Sequence, residues 1–297
     1  MYNDWFMKFA PAAYRETRAR TSLDVESTLV KSGNLARVSP ALLRQEPGVL
    51  PTLRMSACPP LAVDRLIGLA GVSRNLVGCM ESGVIPKRMN GVALDADLVK
   101  IARLVMRMAD RDIFVWLDRN KGPTEAELRR AATIVADRLC GAVANPIIRN
   151  AQEKRQLAAI AAWLTKRGYK PLAPDIRFDA MPPGTFGFHM NVPVKQAGSG
   201  LTVNIPVDAV VMRKKSEFGE LPLLIEAKSA GDFANVNKRR KEEATKVNQL
   251  RSTYGAKAQF ILFLCGYFDG GYLGYEAAEG IDWVWEHRIA ELAEFGV

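Results

Sequence analysis

The most informative stretch of the chain is LPLLIEAKSAGD, residues 221–232. Glu226 and Lys228 stand two apart in an otherwise apolar run, where a buried charge needs a partner or a task. Side chains alternate along a strand, so the two share one face and Ala227 takes the other. The preceding apolar run, NIPVDAVVM (204–212), holds Asp208, and a hairpin brings that carboxylate beside Glu226. Two adjacent carboxylates repel unless a cation lies between them. Oxygen ligands in that number suit Mg²⁺, which keeps several waters and leaves positions for phosphate oxygens. Asp208 and Glu226 are therefore the expected metal ligands, with Lys228 placed to orient the attacking water and stabilise the charge that develops. Phosphodiester hydrolysis is the chemistry this set suits. The structural alternative is an ion-pair cluster at a sheet edge, although burying such a network seldom improves stability.

Outward from this run, TFGFHMNVPV (185–194) and LTVNIPVDAVVMRK (201–214) flank the turn-like KQAGSG. With LPLLIEAKS (221–229) they predict an antiparallel meander of three strands. NKRRKEEATKVNQLRSTYG (237–255) carries Ala244, Val247, Leu250 and Tyr254 on one helical face, and AQFILFLCG (258–266) predicts a buried strand. Upstream, AQEKRQLAAIAAWLTKRGY (151–169) predicts a long helix closed by Gly168 and preceded by a turn at Asn145-Pro146. Residues before that turn read mainly as helix. Leu94, Leu98, Ile101, Val105 and Met108 recur at spacings of three and four, and Thr124 with Glu127 makes a capping box. The expected organisation is a helical N-terminal domain over 1–145 and an α/β domain over 146–297.

Lys and Arg number 41 against 32 Asp and Glu, a net charge of +9 that favours polyanionic partners. The four cysteines, Cys58, Cys79, Cys140 and Cys265, lack CxxC spacing, so they read as buried thiols in a reducing compartment rather than disulfides or a zinc site. The first twenty residues lack a long apolar segment, and no run approaches the ~18 apolar residues of a membrane span. A cytoplasmic location is the expectation. His189 and His287 are the only histidines and read as structural or exposed, which disfavours His-based catalysis. No GxxxxGK[ST] loop supports an ATP-driven motor.

From Asn235 to Lys257, seven basic residues against Glu242 and Glu243 give 7 − 2 = +5. Asn235, Asn237, Arg239 and Arg240 have side chains able to read base edges, while Lys238 and Lys241 suit phosphates. A separate segment, LIGLAGVSRNLVGCMESG (66–83), has a helix-turn-helix rhythm within 64–83, with Gly71 at the turn, Ser73 capping a second helix, and Val77 and Met80 inward. Ser73, Arg74 and Asn75 are its candidate DNA contacts. An ordinary two-helix corner is the plainer reading.

Asp208 followed by Glu-x-Lys after seventeen intervening residues resembles the PD-(D/E)XK nuclease superfamily, as does the order helix, three strands, helix, strand. The signature Pro-Asp is altered, since Val207 precedes Asp208 and Pro206 lies one position earlier. In that superfamily a further acidic residue often faces the site from the first core helix, a position that Glu153 matches; a solvated charge beside Lys154 and Arg155 is the alternative. GDFANVNKRRKEEATKVNQLRSTYG (231–255), CGYFDGGYLGYEAAEGIDWVWEHRI (265–289) and RLIGLAGVSRNLVGCMESGVIP (65–86) resemble the XamI-type restriction endonucleases. The resemblance implies a type II enzyme cutting double-stranded DNA at a short site with Mg²⁺, as a homodimer paired with a protective methyltransferase. It implies a central mixed sheet flanked by helices. The alternatives are a repair or junction nuclease of the same superfamily and a non-catalytic helix-turn-helix regulator.

Overall fold

The computed structural model describes residues 2–173, 176–196, 200–217, 219–230, 236–255 and 257–297, with the backbone alone for 230 and 236–241. In chain order the helices α1 (Tyr2–Lys31), α2 (Pro40–Gln45), α3 (Leu50–Met55), α4 (Val63–Ala70), α5 (Arg74–Glu81), α6 (Gly91–Met108) and α7 (Glu125–Lys166) come first. Then follow β1 (Lys170–Pro171), β2 (Thr185–Lys195), β3 (Thr202–Met212), β4 (Leu223–Ala230), α8 (Val236–Tyr254), β5 (Phe260–Gly266), α9 (Gly270–Ala278) and β6 (Asp282–Trp285). The chain divides into two compact units, Lys8–Ile148 and Met1–Met7 with Arg149–Val297.

The unit Lys8–Ile148 is helical. Its core gathers Val25, Leu29, Leu50, Leu53, Leu76, Leu98, Ile101 and Val135. The expected heptad-like spacing of Leu94 to Val105 becomes the buried face of α6. Helices α4 and α5 meet at Gly71, whose φ of 60° is the left-handed conformation glycine adopts without steric penalty. Ser73 caps α5, its hydroxyl accepting the Leu76 amide at 3.1 Å, and Val77 and Met80 turn inward. At the start of α7, Thr124 and Glu127 exchange capping hydrogen bonds, the Thr124 amide donating to Glu127 at 2.8 Å and the Glu127 amide to Thr124 Oγ1 at 3.3 Å.

The turn expected at Asn145-Pro146 is absent, because α7 runs through Pro146 without a break. Proline's fixed φ is itself helical, so it removes one amide donor and crowds the preceding turn while the rest of the helix persists. The thiols also differ from expectation: Cys140 and Cys265 are buried, Cys79 is half-buried and Cys58 is exposed. Length and composition would let α7 cross a membrane, a test that core helices of soluble proteins also pass.

The second unit holds a six-stranded mixed sheet in the order β1-β2-β3-β4-β5-β6. The predicted meander is present as antiparallel β2, β3 and β4, and the predicted buried strand is β5, parallel to β4. One face packs Leu157, Ile160 and Leu164 of α7 against Phe186, Ala209, Val211, Leu223 and Ile225. The other packs Val247 and Leu250 of α8 with Tyr272 of α9 against Val192, Val194, Val207, Leu224 and Leu262.

Within β2 and β3 these faces exchange. Phe186 and Phe188 join the α7 layer, yet Met190 and Val192 join the α8 layer. Likewise Ala209 and Val211 pack under α7 but Val207 and Ile205 under α8. The exchange falls at His189, whose φ of 52° breaks the alternation, and at Asp208, which lies across from it between the Phe188–Ala209 and Met190–Val207 pairs.

Candidate active site

Asp208 lies where β3 and β4 part. Their register runs Val211–Leu223, Val210–Leu224 and Ala209–Ile225, so the next step sets Asp208 against Glu226. There the carboxylate replaces a backbone carbonyl, with Asp208 Oδ2 accepting the Ala227 amide at 2.8 Å. Strand β4 continues beside β5 as far as Ala230–Gly266, which carries Glu226 and Lys228 beyond the end of the β3 pairing. Gln156 of α7 braces this segment, donating to the Lys228 carbonyl at 3.2 Å and the Phe263 carbonyl at 3.1 Å.

Glu226 and Lys228 share one face, as alternation requires, and it is the face toward α8. Glu226 is 7% exposed. Its Oε1 accepts from Lys228 Nζ at 3.1 Å and from Lys246 Nζ at 2.8 Å, while its Oε2 is buried with no hydrogen-bond partner. Lys246 also donates to the Pro206 carbonyl at 3.0 Å, closing α8 over β3. Burial opposes the Lys228 ammonium, but the carboxylates of Glu226 and Glu243 outweigh it and leave its pKa raised. Glu243 Oε1 stands 3.1 Å from Lys228 Nζ, a charge contact not aligned as a hydrogen bond. Burial, then the charge of Glu226, pushes the Asp208 carboxyl up to about 6 against the opposing Ala227 amide and Lys228.

Glu153 approaches Asp208 from α7. The ligand atoms of Glu153, His189 and Asp208 all lie within 4.8 Å of one another, with Glu153 Oε1 3.7 Å from His189 Nδ1. Asp208 is thus in reach of acidic groups on both sides of the sheet, Glu153 on the α7 side and Glu226 on the α8 side. Glu153, His189 and Asp208 together offer donors that fit a divalent cation, and Glu226, whose Oε2 is buried without a hydrogen-bond partner, lies on the other side of Asp208.

His189, read from the sequence as structural or exposed, is 61% exposed and stands beside Glu153, while Glu243 and Lys246, read only as part of a charged helix, face Lys228 and Glu226. The helical spacing of Glu243, Lys246, Val247 and Leu250 contained that signal, since two charges share the side of α8 that carries the apolar anchors. Of the other candidates, Ser73 is an N-cap and Arg74 makes an exposed ion pair to Asp64 at 3.0 Å. Asn75 lines a surface groove with Ser73, Lys87 and Arg88. Asn235 lies outside the described residues, as do the side chains of Asn237, Lys238, Arg239, Arg240 and Lys241.

The model of the XamI restriction endonuclease family matches residues 33–285, a span that contains every candidate catalytic residue. The chain belongs to that family. It is 51% identical to the type II restriction enzyme SalI of Streptomyces albus G over 298 aligned residues, which cover 100% of this chain and 94% of that enzyme. The crystal structure of protein VC1899 from Vibrio cholerae is 12% identical, with a TM-score of 0.30 over 86% of this chain and 56% of that one, too slight a likeness to argue from. As a XamI-family restriction endonuclease the protein is an enzyme, and the non-catalytic regulator reading falls away.

Proposed function

We propose that this enzyme is a type II restriction endonuclease that hydrolyses phosphodiester bonds of double-stranded DNA at a defined sequence, using Mg²⁺ held by Asp208 and Glu226. The observation that carries the reading is the identity to a type II restriction enzyme along the whole chain. The alignment of Asp208 and Glu226 across adjacent strands, with Lys228 beside them, supports a PD-(D/E)XK core within 146–297, preceded by a helical domain over 1–145. Homodimerisation, a partner methyltransferase and a cytoplasmic location complete the proposal.

When bound, the cation supplies neutralisation of phosphate-oxygen charge and a more acidic water. The chain's own residues do the rest. Asp208 and Glu226 hold negative charge at one point because neighbouring backbone and lysines fix both carboxylates. Lys228, kept cationic by its carboxylate neighbours, orients the nucleophile and stabilises charge on the reacting phosphate. Glu153 and His189 add donors on the α7 side.

Incubating the protein with plasmid and phage DNA and Mg²⁺, then sequencing the ends, tests the proposal. Discrete fragments with one recurring terminal sequence are expected. Smearing, cleavage confined to branched DNA, or intact substrate would overturn it, and the branched outcome would favour a junction nuclease.

A further inference from the structure

We infer that Glu243 of α8 is a positioning residue for cleavage, holding the Lys228 ammonium in place from the side opposite its own strand. The inference rests on the proposed role of Lys228. Glu243 is 1% exposed, and its carboxylate touches two groups of unlike kind. The Tyr272 hydroxyl of α9 donates to Oε2 at 2.7 Å, fixing one end. The other end, Oε1, stands 3.1 Å from Lys228 Nζ.

Glu226 also grips Lys228, but that carboxylate accepts from Lys246 as well and is a proposed metal ligand, so its charge is shared. Glu243 has no such competing task among the described residues. A lysine side chain loses much of its rotamer freedom when fixed. Two carboxylates on different elements hold it in one geometry before substrate arrives, which is the condition for an aligned reaction.

A purely structural ion pair explains the arrangement poorly. Behind Glu243 lies Glu276 of α9, 0% exposed and near enough for the two carboxyl groups to interact. Burial and the adjacent Glu243 push Glu276 up to about 8, so it keeps its proton at neutral pH. Placing a second carboxyl group there adds desolvation without adding a salt bridge, and apolar packing would serve stability better. What the Tyr272 hydroxyl does achieve is to fix the end of Glu243 remote from Lys228.

The full-length protein bearing Glu243→Gln, Tyr272→Phe or Lys228→Gln tests this by linearisation of supercoiled plasmid under enzyme excess with Mg²⁺. Duplex affinity in Ca²⁺ and thermal unfolding are measured alongside. Glu243→Gln keeps the size and the Tyr272 contact while removing the charge. It should slow linearisation by about 10- to 100-fold, as when a partner that orients an active-site side chain is lost, with duplex affinity within about twofold of the parent. Tyr272→Phe should give a smaller loss in the same direction. A folded Glu243→Gln protein that cuts at the parent rate overturns the inference, as does an equal loss of binding and cutting. If Glu243→Gln fails to fold, parent-rate cutting by Tyr272→Phe overturns it instead. Parent-rate cutting by Lys228→Gln strikes the underlying reading of Lys228 rather than that of Glu243.

Discussion

Asp208 of β3 stands one step beyond the last β3–β4 pair, directly across from Glu226 of β4, and accepts the amide of the residue that follows Glu226. The carboxylate thus serves as a backbone partner and, in the proposed mechanism, as a metal ligand. Asp208→Ala, Glu226→Ala and Lys228→Ala should each slow cleavage by at least about 10²-fold while leaving DNA binding intact. Rates and gel-shift affinities on one plasmid fragment check this, and full activity in any of the three removes that residue from the mechanism.

Glu153→Gln and His189→Ala should weaken divalent-cation binding, because both contribute atoms to the cluster around Asp208. The imidazole favours Mn²⁺ over Mg²⁺, so His189→Ala should lose more Mn²⁺ than Mg²⁺ affinity. Calorimetric titration of the DNA-free protein with each ion reads this without reference to activity.

Glu276 offers a pH prediction. Its folded-state pKa is raised to about 8 by burial and by Glu243, whereas an unfolded glutamate titrates near 4.5. Between those values the folded state holds the extra proton, so stability falls as pH rises and the full penalty persists above pH 8. Glu276→Gln should raise the melting temperature by more at pH 8.5 than at pH 5, by ~2 °C or more. An equal shift at both pH values would mean that the carboxyl does not titrate in this range.

In the helical unit, the hydrogen bond from Arg119, then the Thr124 contacts, lowers Glu127 to about 2. Its stabilising effect is complete above the unfolded value near 4.5 and fades as pH falls toward 2. Thr124→Ala, which removes the reciprocal cap, should cost about 1 kcal/mol at neutral pH. Urea denaturation at pH 7 and pH 3 measures both effects.

The segment 235–241 carries the sequence's candidate base readers. If Arg239 or Arg240 reads a guanine edge, its replacement by Ala should cost roughly 1–3 kcal/mol on the cognate site and little on random duplex. Lys238→Ala or Lys241→Ala should weaken both duplexes alike and shrink the salt slope by about one. Titrations at several salt concentrations separate the two. Uniform losses for Asn235, Asn237, Arg239 and Arg240 would move recognition elsewhere, with Ser73–Met80 next.

The meander, its flanking helix and the Asp208–Glu226 juxtaposition were legible because strand alternation and hairpin pairing are short-range rules. Glu226 and Lys228 follow from a period of two and from the cost of charge in an apolar run. His189 was not legible, since no periodicity announces a positive φ inside a strand. Pro146 misled for the converse reason, a strong local signal overridden by a long amphipathic helix. Glu243 and Lys246 required knowing which face of α8 meets the sheet, a tertiary fact that a charge count averages away.

The strand order of the sheet bears on how the chain closes. Because β1 to β6 lie side by side in the order of synthesis, each strand finds its partner in the segment just before or after it. The carboxylate pair belongs to the tight β2–β3–β4 meander, where the loops to be closed are short. The Lys228 clamp, by contrast, forms only when α8 folds back over the meander on its way to β5. Within the meander the Glu226 carboxylate is met by Lys228 of its own strand, and its second lysine, Lys246, comes from the crossover helix α8.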